Sequence, residues 1–430
     1  MVAEPRRRLG RRLWWAAAGL AGLVAVLLEA CFGPSAPPAP PAPPSRLSDP
    51  AALAPFFAAL SALDGKTTTR PLRIMQIGDS HTANDSFSGR VRERLQSRFG
   101  AAGRGWLPAG IPFKYYRPQL VEVQESGWQH VKASDRAGVA LGLDAVAAEN
   151  EPGAAEMTIA STEAAGFDRF GAEFIAQPKG PDFTVAVDDR SPVVVSTAAA
   201  GGEVKGFELP LDRPAHRVTL RASGQPPVVL LGWDVERRGP GIVYENHGTI
   251  GATVALLEQM SRPAVGFEFD RRRPALLVVA FGTNEGFDDG LDLDRYATRF
   301  RADVENLQRA AHGVPVLLLG TPDGNRTAPG CTPTPCGVDR DACAWHEPPK
   351  LARVRELQRR IAAQQGWASW DWFAAMGGTC SIDRMASAQP PLAAPDHVHL
   401  TQAGYEAMAD LLFGDLMREY ESWKARPPTS

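Results

Sequence analysis

An excess of either charge is missing from this chain: 46 Lys and Arg stand against 49 Asp and Glu in 430 residues, a net charge of −3. No basic stripe is left over to follow a phosphate backbone, so nucleic acid is not an expected partner. Cysteine is scarce, with five residues. The histidine nearest to them, His346, completes no recognised zinc-ligand spacing, and neither a metal nor an organic cofactor is expected. An uncharged apolar run, Leu13 to Leu28, has sixteen residues, slightly short of the roughly 20 that cross a bilayer as a helix. What is present is a hydrophobic content of 44%, enough to bury a sizeable core and most simply arranged as two domains.

The basic run Arg6 to Arg12 precedes that apolar stretch, a pattern of a secretory signal region or a short membrane anchor. The string LLEAC, Leu27 to Cys31, resembles a bacterial lipoprotein box in which Cys31 is lipidated, although Glu29 is an unusual occupant. Lipidation, an uncleaved anchor and, behind them, simple secretion stay open, and either tether implies a membrane-tethered enzyme of the periplasm or cell envelope. Residues 33–44, GPSAPPAPPAPP, follow as a proline-rich spacer. At about 3.1 Å per residue in a polyproline conformation it reaches roughly 30 Å from a membrane. With Cys31 set aside, Cys331, Cys336, Cys343 and Cys380 form an even set that suits two disulfides in an oxidising compartment. Three connectivities are open, of which neighbour pairing, Cys331 with Cys336 and Cys343 with Cys380, is the first choice.

Two short strings carry chemistry. GDSH, Gly78 to His81, follows the apolar run Leu72 to Ile77, which reads as a buried strand; Ser80 then sits on a strand-to-helix turn, where open α/β sheets bind ligands. DHVH, Asp396 to His399, lies near the other end of the chain. A serine hydroxyl becomes a useful nucleophile when an imidazole takes its proton and a carboxylate fixes the imidazole's tautomer. Ser80, His399 and Asp396 supply these parts. A bare Gly-Asp-Ser occurs by chance in roughly one in ten chains of this length, so the weight comes from two further strings. GTNE, Gly282 to Glu285, follows the apolar run Pro274 to Phe281, and NHGTIGAT, Asn246 to Thr253, carries two glycines. A side-chain amide and backbone N–H groups at such turns can hold a tetrahedral oxyanion, and Asn284 and Gly251 fit that need.

The order of these strings resembles the SGNH, or GDSL-like, hydrolase superfamily, whose four blocks contribute Ser, Gly, Asn and His. The resemblance assigns Ser80, Gly251, Asn284 and His399 to them, with Asp396 in a DxxH pattern; Gly251 is placed five residues after Asn246. Many members have GxND in the third block, where this chain has Glu285 after the asparagine. Among subfamilies the strings look most like the periplasmic peptidoglycan O-acetylesterases, which carry a β-rich, carbohydrate-binding-like insert between the first two blocks. The resemblance implies a three-layer α/β/α parallel sheet with an inserted β-sandwich, an acetyl-enzyme on Ser80, an oxyanion hole from Ser80, Gly251 and Asn284, and acetylated polysaccharide, peptidoglycan first, as substrate.

The texture of the chain agrees. Apolar residues at helical spacing fill Asp49 to Gly65, behind an expected Asp49 cap, and Asp85 to Phe99. From about Trp106 to Val235 short β-rich runs spaced by Gly, Pro and Asp suggest a sandwich, in which Trp128, Tyr115 and Tyr116 are either sugar-stacking or core residues. A strand at Val314 to Gly320, a helix at Lys350 to Gln365, a last strand at Trp367 to Phe373 and a closing helix at His399 to Met417 resume the α/β pattern. The division expected is 1–32 signal or anchor, 33–47 linker, 48–105 with 240–422 catalytic domain, 106–239 insert, and 423–430 tail. Activity should fall as pH drops through the ordinary histidine range, near 6.5, since the base must be neutral. His81, next to the nucleophile, either touches substrate or caps the turn. Two other activities fit the same strings: an O-acetyltransferase, in which a sugar hydroxyl outcompetes water, and an inactive, tethered glycan-binding scaffold.

Overall fold

Strict alternation along the central strands feeds two cores. In Pro71–Gly78, Leu72 and Ile74 enter one and Met75 and Ile77 the other; in Leu276–Ala280, Leu276 and Val278 go one way and Leu277 and Val279 the other. Such strands, apolar on both sides, suit a parallel sheet covered by helices on both faces. In the computed structural model, which describes residues 45–133, 135, 140–337 and 343–426, helices Ala54–Asp64, Ser86–Phe99 and Gln402–Lys424 pack on the first face. Helices Arg262–Arg272, Leu293–Ala310 and Leu351–Gln365 pack on the second. The signal or anchor segment, Cys31 and the proline-rich spacer lie outside the described residues.

The sheet runs in the order Leu47–Ser48, Ala368–Trp370, Val316–Leu319, Leu276–Ala280, Pro71–Gly78, Gly241–Gly248. All neighbours are parallel except the short first strand, which pairs antiparallel with Ala368–Trp370. Pro71–Gly78 therefore has the next parallel strand, Gly241–Gly248, on one side and the one after it, Leu276–Ala280, on the other. The chain reverses its direction of winding about this strand, and a crevice opens at its carboxyl end. Ser80 is two residues beyond that end.

Between the helix Ser86–Phe99 and the strand Gly241–Gly248 the chain builds two antiparallel sheets. One runs Val193–Ser196, Asp182–Val187, Arg217–Ser223, Ala154–Ser161, Val121–Ser126; the other runs Glu203–Ala215, Phe167–Ala176, Val229–Glu236, Val146–Asn150, Trp128–Lys132, with Gly103–Pro108 also on Val229–Glu236. Met157, Ile159, Val185 and Leu220 of the first sheet meet Phe170, Phe174 and Trp233 of the second in one apolar core. The fold is thus a three-layer α/β/α fold with an inserted β-sandwich.

Three local expectations change. Asp49 does not cap its helix: it takes a left-handed conformation (φ 51°), its side chain makes no cap bond, and Pro50 opens a 3-10 turn before the helix proper starts at Ala54. The run Trp367 to Phe373 is strand only from Ala368 to Trp370, because Asp371 accepts from the Ala374 N–H at 2.9 Å and starts the helix Trp372–Met376. The disulfides are Cys331–Cys343 and Cys336–Cys380, not the neighbour pairs. The Thr334 N–H donates to the Cys343 carbonyl and the Trp345 N–H to the Thr334 carbonyl, both at 3.0 Å, which draws the two arms of the loop together. The Cys336 N–H donates to Asp383, and so approaches the helix that begins beside Cys380.

Candidate active site

Gly78 ends the central strand because nothing larger fits: a Cβ there would stand 2.4 Å from the Thr82 hydroxyl and 2.5 Å from the Ala280 carbonyl. The next residue, Asp79, accepts from the His81 N–H at 3.0 Å and caps the short helix Ser80–Ala83, so Ser80 stands at its first position. From the far end of the sequence, the loop before the closing helix brings His399 to it, with 2.9 Å between Ser80 Oγ and His399 Nε2. His399 Nδ1 is 2.7 Å from Asp396 Oδ2, and the other Asp396 oxygen accepts from the N–H groups of Val398 and His399, each at 3.0 Å. Partial burial would raise the Asp396 pKa, but these bonds outweigh it and hold the carboxyl below its ordinary value. The carboxylate stays charged and the imidazole oriented. Ser80 is half-buried and Asp396 exposed, so the trio faces a shallow, open surface.

Asn284 and Gly251 come from the loops that flank this turn. Asn284 stands in the helical turn Thr283–Gly286 after the strand Leu276–Ala280, and its Nδ2 donates at 2.7 Å to the carbonyl of Ala252. Gly251 has φ +73°, the left-handed region that favours glycine. The neighbouring Thr249 N–H donates at 3.0 Å to the Gly78 carbonyl, which fastens this loop to the end of the nucleophile's strand.

Three side chains hold these loops in place; the sequence marked Asn246 and Glu285 only as motif positions and gave no sign of Trp345. Glu285, the residue that departs from the commoner motif, is buried and accepts from the Val254 N–H at 2.8 Å. Asn246 donates to the Thr82 carbonyl and to Ser88 Oγ, each at 2.6 Å, joining the second string to the first. The signals in the sequence were the place of Glu285 directly after Asn284 and that of Asn246 five residues before Gly251. Trp345, from the disulfide-tied loop, lies flat on His397 with ring centroids 3.7 Å apart and 7° between planes.

His397 and His81 both turn away from the surface. His397 is 8% exposed, adopts φ +54° and faces Asp383 at 3.3 Å, leaving His399 alone at Ser80. His81 is 2% exposed and hydrogen-bonded through Nδ1 to the Tyr405 hydroxyl at 2.9 Å, so it is packed behind His399 and not presented for substrate contact. Burial first, and then the neighbouring His399, push its pKa down to about 3, which keeps it uncharged. Burial pushes Asp79 up to about 7, with the Glu285 carboxyl adding to the rise against the hydrogen bonds it accepts. Of the three candidate sugar-stacking aromatics, Trp128 and Tyr116 are buried in the insert, while Tyr115 is 69% exposed.

A serine on a strand-to-helix turn at the head of a Ser–His–Asp chain of contacts is the arrangement of the acyl-hydrolase class of α/β proteins. Residues 214–407 match the GDSL-like Lipase/Acylhydrolase family model, and the chain is a carboxylic-ester hydrolase with a GDSL-like domain. Gly251, Asn284, Asp396 and His399 fall inside that span; Ser80 lies ahead of it, beyond most of the insert. Among solved structures it is similar to a peptidoglycan O-acetylesterase caught in action: TM-score 0.72, 25% identity, 88% of this chain and 99% of that one. It is also similar to a family two carbohydrate esterase from Cellvibrio japonicus, at 13% identity over 71% of this chain and 99% of that one, with a TM-score of 0.29. None of the curated proteins matches it.

Proposed function

We propose that this protein removes O-acetyl groups from a cell-wall polysaccharide, with O-acetylated N-acetylmuramic acid of peptidoglycan as the substrate. The observation that carries the reading is the likeness over almost the whole length, insert included, to a structure described as a peptidoglycan O-acetylesterase. The short Ser80–His399–Asp396 chain of contacts supports it.

In this reading Asp396 accepts the Nδ1 proton of His399, which leaves Nε2 to take the proton of Ser80 Oγ as it attacks the acetyl carbon. The tetrahedral oxyanion is received by the N–H groups of Ser80 and Gly251 and by Nδ2 of Asn284. His399 returns its proton to the departing sugar oxygen, and an acetyl-serine remains. Water, deprotonated by His399, then releases acetate and restores Ser80. An open site admits a polymer strand. The basic and apolar N-terminal segment, with Cys31 as a lipidation candidate, would tether the enzyme in the envelope and the proline-rich spacer would let it reach the wall.

The test is acetate release from O-acetylated and from chemically de-acetylated walls by the full chain and by Ser80→Ala. Release from the first walls alone, lost at least 10³-fold in the variant, is expected. Serine-dependent cleavage of a small acetyl ester without release from walls would remove the substrate from the proposal and keep the esterase.

A further inference from the structure

The strand Val316–Leu319 runs parallel to the strand that carries Ser80 and ends at the same edge of the sheet. The chain that leaves it builds the disulfide-tied loop before it returns as the helix Leu351–Gln365. At its root this loop is fastened to the catalytic turn, where the Asn325 N–H donates to the His397 carbonyl at 2.8 Å. Just above, Arg326 and His346 exchange backbone hydrogen bonds, each of 3.0 Å, and Cys331–Cys343 joins the two arms. Trp345 is thus held at a fixed place beside the turn that presents His399.

Among the described tryptophans Trp345 alone is neither buried nor packed on an apolar core. Trp106, Trp128, Trp233, Trp367, Trp370 and Trp372 are buried, and Trp423 packs on the core of the first face. Trp345 is half-buried, and its one ring partner among the described residues is His397. A single aromatic in water needs no explanation by itself. This one differs in being pinned from its backbone and from one ring face to the residue between Asp396 and His399.

The chemistry decides which part of a substrate lies nearby. His399 returns its proton to the departing sugar oxygen, so the sugar lies on the side of Ser80 that His399 occupies. The strand order puts that side at Leu276–Ala280 and Val316–Leu319, whereas the Gly251 loop follows Gly241–Gly248 across the nucleophile's strand. A pyranose ring has an apolar C–H face that packs well on a flat aromatic surface. We propose that the departing glycan runs past His399 onto the disulfide-tied loop and that Trp345 is the platform on which one of its pyranose rings stacks. The inference rests on the reading of Ser80 as a glycan deacetylase and adds which part of the surface carries the glycan.

The readout is the ratio of kcat/KM on O-acetylated walls to kcat/KM on ethyl acetate, whose leaving group has no ring to stack. Any displacement of the catalytic turn enters both constants and cancels. Trp345→Ala and Trp345→Leu should lower the ratio about five- to tenfold, through a higher KM on walls, and Trp345→Phe, which keeps a flat ring, by less than about threefold. Ratios within about twofold of the parent in both the alanine and the leucine variant overturn the platform, leave Trp345 as a support of the turn, and keep the esterase reading intact. If the parent cleaves acetylated xylan and not walls, the wall reading fails and the ratio is scored on xylan; cleavage of ethyl acetate alone overturns the platform together with the glycan reading.

Discussion

Two sets of charges in this molecule live under opposite conditions. At the mouth of the parallel sheet, His399 and Asp396 leave 39% and 50% of their side-chain surface in solvent. Beneath the insert, His247 and Glu245 leave none, and they belong to a network built from several elements. Arg73 of the central strand pairs with Glu236 of the insert and, at 3.2 Å, with Glu245. Arg271 and Arg272 of the helix Arg262–Arg272 reach Glu173 of the insert at 2.8 and 3.0 Å. An exposed Asp–His pair costs little to desolvate, so one turn of chain can hold it and substrate can reach it. Buried charges repay their desolvation only when every partner is present, so the network fixes how the insert seats on the sheet more than it adds stability. Chemistry is thus local and open, while the seating is distributed and closed; substitutions should separate the two.

The sharpest separation is expected at Asn284. If its amide receives the oxyanion, Asn284→Ala should lower kcat by about 10²- to 10³-fold with substrate binding little changed. Because Nδ2 also donates to the Ala252 carbonyl, the loop that carries Gly251 should lose a tether, but Tm should stay near that of the parent, since no buried charge is stranded. A loss of less than a few-fold would remove Asn284 from the oxyanion hole.

A smaller effect tests whether the open site is as independent of its surroundings as its exposure suggests. Trp345 lies on His397, which sits between Asp396 and His399 in the same turn; Cys343, two residues before Trp345, is bonded to Cys331, and Cys380, beside the helix that holds Asp383, is bonded to Cys336. The stack and the two bonds clamp the turn from both sides. Trp345→Ala should lower kcat on a small acetyl ester about five- to tenfold with KM unchanged, since misplacement of a catalytic group by a fraction of an ångström acts on the reacting geometry. Trp345→Phe, which keeps a ring over His397, should restore most of it. Equal losses in the two variants would mean that the turn needs bulk there and not a stacked ring.

The same division explains what could be read in the sequence. Gly78 to His81 and Asp396 to His399 were legible because each packs its chemistry into a few consecutive residues, and the strands before them because apolar runs mark a doubly covered sheet. The pairing Cys336–Cys380 was not legible, since it depends on Asp383 meeting the Cys336 N–H across 47 residues. Nor was the network under the insert: Arg73 and Glu236 are separated by 163 residues, and each looks in isolation like an ordinary solvated charge. His81 was open to two readings because sequence does not reveal that Trp372 and Tyr405 close over it.

The network itself is best probed through His247. Its Nδ1 meets Asp144 of the insert at 2.9 Å and its Nε2 lies 3.5 Å from Glu245. Burial alone would lower the imidazole pKa, but the two carboxylates outweigh it and raise it to about 9. A folded-state pKa above the unfolded one means that the folded protein holds the proton more tightly. The contribution to stability is then complete below about pH 6.5, the ordinary histidine value, and is lost as pH rises through about 9. His247→Gln removes the charge at every pH and leaves Asp144 and Glu245 with one partner fewer. Its Tm should lie several degrees below that of the parent at pH 6, and the gap should close as pH approaches 9 because the parent loses the same interaction there. A gap that stays constant from pH 6 to 9 would mean that His247 is neutral in the folded protein and that the insert is seated by the arginine pairs alone.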